Sequence, residues 1–319
     1  MPQAEFSIIE KYFAGIGSSQ WPPELPSGDD AAILEIPEGK QAVMSVDTLI
    51  AGVHFPLETS PADIAHKSLA VNLSDLAAMG ASPAWFLLSL TIPDTNESWL
   101  DSFSASLRKI AEQYRIELVG GDTCHGPLSI TIQVTGLVDK DKYITRSSAN
   151  PGDLILVSGQ IGNAALGLAH LQNRIQLEEK LIVPCLEAVN RPTPRLCLTD
   201  FLRNFANAAI DLSDGLVGDL KHILDKSKVG ASISQDALPV NEWIVDNDAY
   251  EYALSGGDDY ELCLTISPGY KDQIMLWNQK NPDCQLHLIG QITESGFYLH
   301  TENETIDLSN TKGYQHFGK

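Results

Sequence analysis

Ala208-Ala209-Ile210-Asp211-Leu212-Ser213-Asp214-Gly215-Leu216 reads as a short apolar strand, an acidic turn and the opening of a helix that runs on to Lys226. The pattern recurs earlier in the chain. A predicted strand over 41–46 runs into Asp47, and another over 116–119 passes through Gly120 and Gly121 into Asp122. Carboxylates where strands end project into the crevice in which α/β proteins hold ligands. Hard oxygen donors there suit magnesium, which takes carboxylates, water and substrate phosphates. Each aspartate alone also fits a turn or a helix cap; Asp214, for one, is placed to cap the helix behind it.

Outward from these segments, strand and helix patterns alternate along the chain, which predicts a mixed α/β class. Helices are expected over 6–13, 62–79, 97–114, 164–172, 181–189, 195–204 and 216–226. Further strands are expected over 31–36, 84–92, 128–138, 154–158, 231–234, 261–266, 285–292 and 297–300. The turn Asn150-Pro151-Gly152-Asp153 marks a boundary, dividing the chain into domains 1–149 and 150–319. On the 62–79 helix, Ser68, Asn72, Asp75 and Met79 form a stripe flanking the apolar face of Leu69, Leu73 and Leu76. Such a stripe either offers a ligand group to a cleft or is a partly solvated flank.

Composition narrows the function. The chain has 319 residues, 43% of them hydrophobic, and a formal net charge of −21. That balance supports packed cores and excludes the basic footprint of a nucleic-acid binder. No apolar run is long enough to span a bilayer and no secretory pattern opens the chain, so a cytoplasmic location is expected. The five cysteines show no CxxC spacing and are read as buried, reduced thiols. Neither GxxxxGK[ST], GxGxxG nor a protein-kinase HRD motif occurs. The loop Ser158-Gly159-Gln160-Ile161-Gly162-Asn163 leads into a helix; it is either a phosphate contact or a tight strand–helix turn.

Several stretches together resemble the thiamine-monophosphate kinase family, within the aminoimidazole-ribonucleotide-synthetase-like superfamily. They are Ser27–Ala32, Ser45–Leu49 with Gly52–Phe55, Val71–Gly80, Gly120–Thr123, Ala209–Leu216, Ser255–Leu262 and Lys312–Phe317. The resemblance implies a two-domain α/β fold whose N-terminal domain (1–149) binds ATP and magnesium and builds a dimer-interface β-barrel. The C-terminal α/β domain (150–319) would close the active site of a homodimer. It implies ATP-dependent phosphorylation of thiamine monophosphate, with several magnesium ions. By position, Asp30, Ser45, Val46 (through its carbonyl), Asp47, Asp75, Asp122, Asp211 and Asp214 resemble magnesium ligands. Gly121, Asp122, Arg146 and Ser213 resemble nucleotide contacts, and His54, Asp258 and Tyr314 contacts to the thiamine phosphate. The chain departs from the family pattern in carrying Asp258 where Glu is usual and Ser45 where Thr is common. No general base is expected. The rival readings are a sister enzyme of the superfamily and a non-catalytic, acidic metal- or nucleotide-binding regulator.

Overall fold

The computed structural model describes residues 5–311 and residue 313, so Tyr314 lies outside the described residues. The chain divides into two compact units.

The first unit comprises residues 1–76, 81–142 and 190–192. It opens with α1 (Glu5–Ile8), which continues as a π-helical turn, Ile9–Phe13. Its sheet contains β1 (Lys40–Ile50), β2 (Ser82–Ile92), β3 (Glu117–His125) and β4 (Ser129–Asp139), in the order β1-β4-β2-β3. β1 and β2 both run antiparallel to β4, and β3 runs parallel to β2. One face is covered by α2 (Pro61–Ala78). Leu69, Leu73 and Leu76 of α2 are wholly buried. A methyl group on Gly136 of β4 would come within 3.0 Å of Leu76. Alongside lies α3 (Glu97–Tyr114), capped by Asn96, whose side chain accepts from the Trp99 amide. Ser106 of α3 donates to the Ala62 carbonyl at 2.6 Å, fastening the two helices together.

Residues 31–36 do not form the expected strand; only Ile33 makes a bridge, to Leu25. Ile33, Leu34 and Ile36 are exposed, so an apolar run without a neighbouring strand stays irregular. β1 and β3 are each longer than expected, because β4 and β2 pair with them past the aspartates. Asp47 and Asp122 therefore lie inside strands rather than at their ends. The four-stranded sheet is open, with β1 and β3 at its edges; among the described residues it does not close into a barrel.

The second unit comprises residues 77–80, 143–189 and 193–319. Its strands are β5 (Leu154–Ser158), β6 (Ala206–Asp211), β7 (Gly230–Ser234), β8 (Leu262–Ile266), β9 (Leu286–Thr293), β10 (Phe297–His300) and β11 (Thr305–Asp307). Their order is β11-β10-β7-β9-β5-β8-β6, mostly antiparallel with β7 and β10 parallel. Both faces are covered. Ile155 and Val157 of β5 and Cys263 of β8 enter one core with α4 (Asn163–Leu171), α5 (Glu179–Asn190) and α7 (Leu216–Ser227). Leu156, Leu262, Leu264 and Ile266 enter the other with α6 (Thr199–Phe205). Burial on both faces explains why β8 is apolar at nearly every position.

The predicted helix over 195–204 is broken into a 3₁₀ turn, Leu196–Leu198, followed by α6. Three helices were not among those expected from the sequence: α8 (Glu242–Asp246), α9 (Glu251–Ser255) and α10 (Lys271–Lys280). The cysteine expectation also needs correction. Cys185 and Cys263 are buried free thiols and Cys124 is an exposed one, but Cys197 and Cys284 form a disulfide. No helix among the described residues is long and apolar enough to cross a membrane.

Candidate active site

In the first unit, Ser45 and Asp47 are two residues apart on β1, so both side chains leave the same face of the sheet. That face meets α2. Ser45 Oγ donates to Asp75 Oδ2 at 2.5 Å. Asn72 Oδ1, fully buried one turn earlier, accepts from the Asp47 amide at 3.1 Å, and its Nδ2 donates to the Ser68 carbonyl. The polar stripe of α2 is thus turned onto β1 instead of into solvent. Burial, reinforced by the neighbouring Asp75 charge, pushes the Asp47 carboxyl up to about 6. Two carboxylates and a hydroxyl in this arrangement are the donor set magnesium takes before water and phosphate complete its shell. Among the described residues, no three His, Cys, Asp or Glu side chains gather around one ion.

The remaining first-unit residues stand apart from this group. Asp122 pairs with Ser89, in the row of Thr131 and Thr48. That row lies one step from the row of Asp47, and alternate rows face opposite sides of a sheet. Asp122 and Gly121 are exposed on edge strand β3. A Cβ on Gly121 would lie 1.9 Å from the Leu88 carbonyl oxygen, so only glycine allows β3 this close to β2. Val46 turns its side chain to solvent on the uncovered face. Asp30 is exposed on the loop before β1, its amide donating to Asp29 Oδ1. His54 closes the turn after β1, where its Nδ1 accepts from the Ile50 amide at 3.0 Å.

In the second unit, β6 ends on Asp211, which is buried, and Ser213 and Asp214 follow on a half-buried turn before α7. The Ser255–Leu262 stretch folds back onto this turn. Asp258 donates its amide to the Ser213 carbonyl at 2.8 Å, and Tyr260 to that of Leu212 at 2.9 Å. Gly257 has φ +69°, and a Cβ there would lie 2.5 Å from the Ser213 oxygen, so the approach depends on glycine. The backbone thereby brings Asp211, Ser213, Asp214 and Asp258 into one loop pair. Gly313 passes against the same turn: a Cβ there would lie 2.7 Å from the Asp214 carbonyl oxygen. Arg146 is exposed, its carbonyl held by Ser227 Oγ.

Three acidic residues of this unit carry roles that reading the sequence left unassigned. Asp259 is buried and accepts from the amides of Gly162 and Ala164 at 2.8 and 3.3 Å, filling the N-terminus of α4. The loop Ser158–Asn163 is therefore a tight turn closed by an internal carboxylate, with those amides already engaged. Burial holds the Asp259 carboxyl well above its usual range. Glu261 is buried with Arg195, whose Nε donates to Glu261 Oε2 at 2.6 Å, and Ser158 Oγ donates to the same oxygen at 2.5 Å. Asp219 lies in the first turn of α7 and accepts from the Asp214 amide at 2.9 Å. Its only sequence signal is position: three residues after Leu216 and one before Leu220, it is an acid on the apolar face of its helix.

Two family descriptions match the chain: AIR synthase related protein, N-terminal domain, over residues 28–138, and the corresponding C-terminal domain over residues 150–301. Thiamine-monophosphate kinase of Escherichia coli (strain K12) is 46% identical over 331 residues, covering 99% of each chain. The crystal structure of thiamine-monophosphate kinase from Stenotrophomonas maltophilia K279a aligns with a TM-score of 0.82 at 41% identity, covering 88% of this chain and 92% of that one. AaThiL complexed with AMPPCP and TMP aligns with a TM-score of 0.76 at 30% identity, covering 91% of each. Fold and matches define the class, a two-domain protein of the AIR synthase related type. Within that class, the chain belongs to the thiamine-monophosphate kinase family.

Proposed function

We propose that the chain transfers the γ-phosphoryl group of ATP to thiamine monophosphate, giving thiamine diphosphate and ADP by direct in-line displacement. Membership of the family supports the activity. AaThiL, a relative in fold and sequence, binds both AMPPCP and TMP. The observation that carries a metal-assisted reaction is the Asp47–Asp75 pair: Ser45 Oγ fixes Asp75 at 2.5 Å, and burial together with the Asp75 charge raises the Asp47 carboxyl, two effects that a cation seated there offsets.

In this reading, Ser45, the Val46 carbonyl, Asp47 and Asp75 hold magnesium on the first unit, and Asp30 and Asp122 hold it separately from that group. Asp211 and Asp214 hold it on the second. Magnesium supplies charge neutralisation and alignment for the two phosphates. Gly121, Asp122, Arg146 and Ser213 bind the nucleotide, with Arg146 as a fixed positive charge. His54, Asp258 and Tyr314 bind thiamine monophosphate, the Asp258 carboxylate offering a counter-charge to the thiazolium ring. A phosphate monoester has a second pKa of about 6, so its attacking oxygen is ionised near neutrality and no residue has to act as base.

The same reading makes the enzyme a homodimer. Met44 and Val46, 66% and 57% exposed, lie with Ile50 and Leu87 on the sheet face that α2 leaves uncovered. An apolar face of that kind calls for a partner surface, and a second sheet would complete the barrel.

The test is incubation with ATP, magnesium and thiamine monophosphate, followed by separation of the thiamine species. Thiamine diphosphate formed one-for-one with ADP, and abolished by EDTA, is the expected result. ATP consumption without thiamine diphosphate would transfer the site to a sister reaction. No turnover in a folded dimer would leave a binding protein.

A further inference from the structure

Asp219 is 2% exposed, packed in the helix face that also buries Leu216, Val217, Leu220 and Ile223. Its carboxylate accepts from the amide of Asp214 in the preceding turn, through Oδ2 at 2.9 Å. Around it stand the Asp214 carboxylate, which repels it, the Arg146 guanidinium, which attracts it, and the Cys263 thiol. A side chain needed only to fill this core would be apolar, because a buried carboxylate costs several kcal/mol.

The contact fixes geometry. An amide directed at the buried carboxylate sets the peptide plane joining residues 213 and 214, and with it the directions in which Ser213 and Asp214 leave the chain. The opposite side of the same turn is held by the Asp258 and Tyr260 amides on the carbonyls of Ser213 and Leu212. We infer that Asp219 is a positioning residue for phosphoryl transfer, holding the Asp211–Asp214 turn and Arg146 in the arrangement that receives the metal–nucleotide complex. This rests on the reading of that turn as a cation and nucleotide site. Residues that orient metal ligands from behind typically alter metal affinity or activity about 10- to 100-fold when changed.

Asp219→Asn keeps the volume but replaces the carboxylate with a neutral amide, a weaker acceptor for the Asp214 amide and no counter-charge for Arg146. The experiment measures Mn²⁺ binding by electron paramagnetic resonance in the presence of AMPPCP, together with the magnesium dependence of turnover. The expected result is a folded variant with Mn²⁺ binding weakened about 10-fold or more and a matching rise in the magnesium needed for half-maximal rate. Ile223→Ala, a core truncation in the same helix, should lower the melting temperature and leave Mn²⁺ binding unmoved; an equal shift in it overturns the assignment. Unchanged Mn²⁺ binding in Asp219→Asn, beside its loss in Asp211→Asn, overturns the positioning role and leaves the site reading intact. Unchanged binding and turnover in Asp211→Asn overturns the site reading itself, and the positioning role with it. Should Asp219→Asn fail to fold, Asp219→Glu keeps the charge and both acceptors but displaces them by one methylene. A shifted Mn²⁺ affinity in that variant supports the inference, and an unshifted one overturns it.

Discussion

Ser45 Oγ donates to Asp75 Oδ2 at 2.5 Å, joining the middle of an eleven-residue strand to the flank of an eighteen-residue helix. The hydroxyl both fixes one carboxylate and adds a neutral oxygen beside two charged ones. Ser45→Thr retains that oxygen and should leave the magnesium dependence of turnover nearly unchanged. Ser45→Ala should cost about 1 kcal/mol of stability and raise the magnesium requirement. Paired denaturant melts and magnesium titrations check both.

Asp47 and Asp211 are expected to be the most sensitive positions. Asp47→Asn or Asp211→Asn should cut turnover by orders of magnitude with an unaltered circular dichroism spectrum. Without metal, Asp47→Asn should melt no lower than the unsubstituted chain, because it removes a half-buried charge facing Asp75. Normal turnover in either purified variant would sink the metal-assisted reading.

Asp259 makes a pH prediction whose sign follows from its raised carboxyl. Between the ordinary value of 3.8 and the higher folded one, the native state keeps a proton that the unfolded chain has released. The stabilisation is therefore complete below the unfolded value and is lost as pH rises through the folded one. Asp259→Asn lacks this dependence. Relative to Asp259→Asn, the unsubstituted chain should be more stable at about pH 5 than at about pH 8, as read from urea midpoints.

Arg195 and Glu261 form a largely buried ion pair, in which Ser158 also donates to the carboxylate and Arg195 also donates to the Asp283 carbonyl. Arg195→Met should destabilise the second unit by about 3–5 kcal/mol, because it strands a buried carboxylate. Adding Glu261→Gln to that variant should restore part of the loss, and unfolding of the single and double variants measures it.

Where local signals were complete, sequence and structure coincide. The helix Glu97–Tyr114 carries an amphipathic period and an Asn96 cap, and β5 and β10 are compact apolar runs between turns. α10 lacks a helical period because its apolar residues, Ile274 to Trp277, stand in one consecutive run, with Ile274 its one buried residue. The opposite error befell residues 31–36, whose apolar pattern has no strand to pair with. Asp47 and Asp122 were placed at strand ends because the pairing that extends β1 and β3 comes from β4 and β2, distant in sequence. The Cys197–Cys284 bond joins positions 87 residues apart, a pairing no local spacing reveals. Asp75 could be singled out from the helical period. Its contact with Ser45 could not, because it depends on how strand and helix meet.

The turn that opens α4 has a wider consequence. A helix start is a ready-made seat for phosphate, and here Asp259 already sits in it. On the proposed reading, the nucleotide's negative charge is met by Arg146 and by divalent cations drawn from the surroundings, not by that stretch of backbone. On that reading, part of the working site is left in solution, and the rate follows how much free divalent ion the medium can lend it.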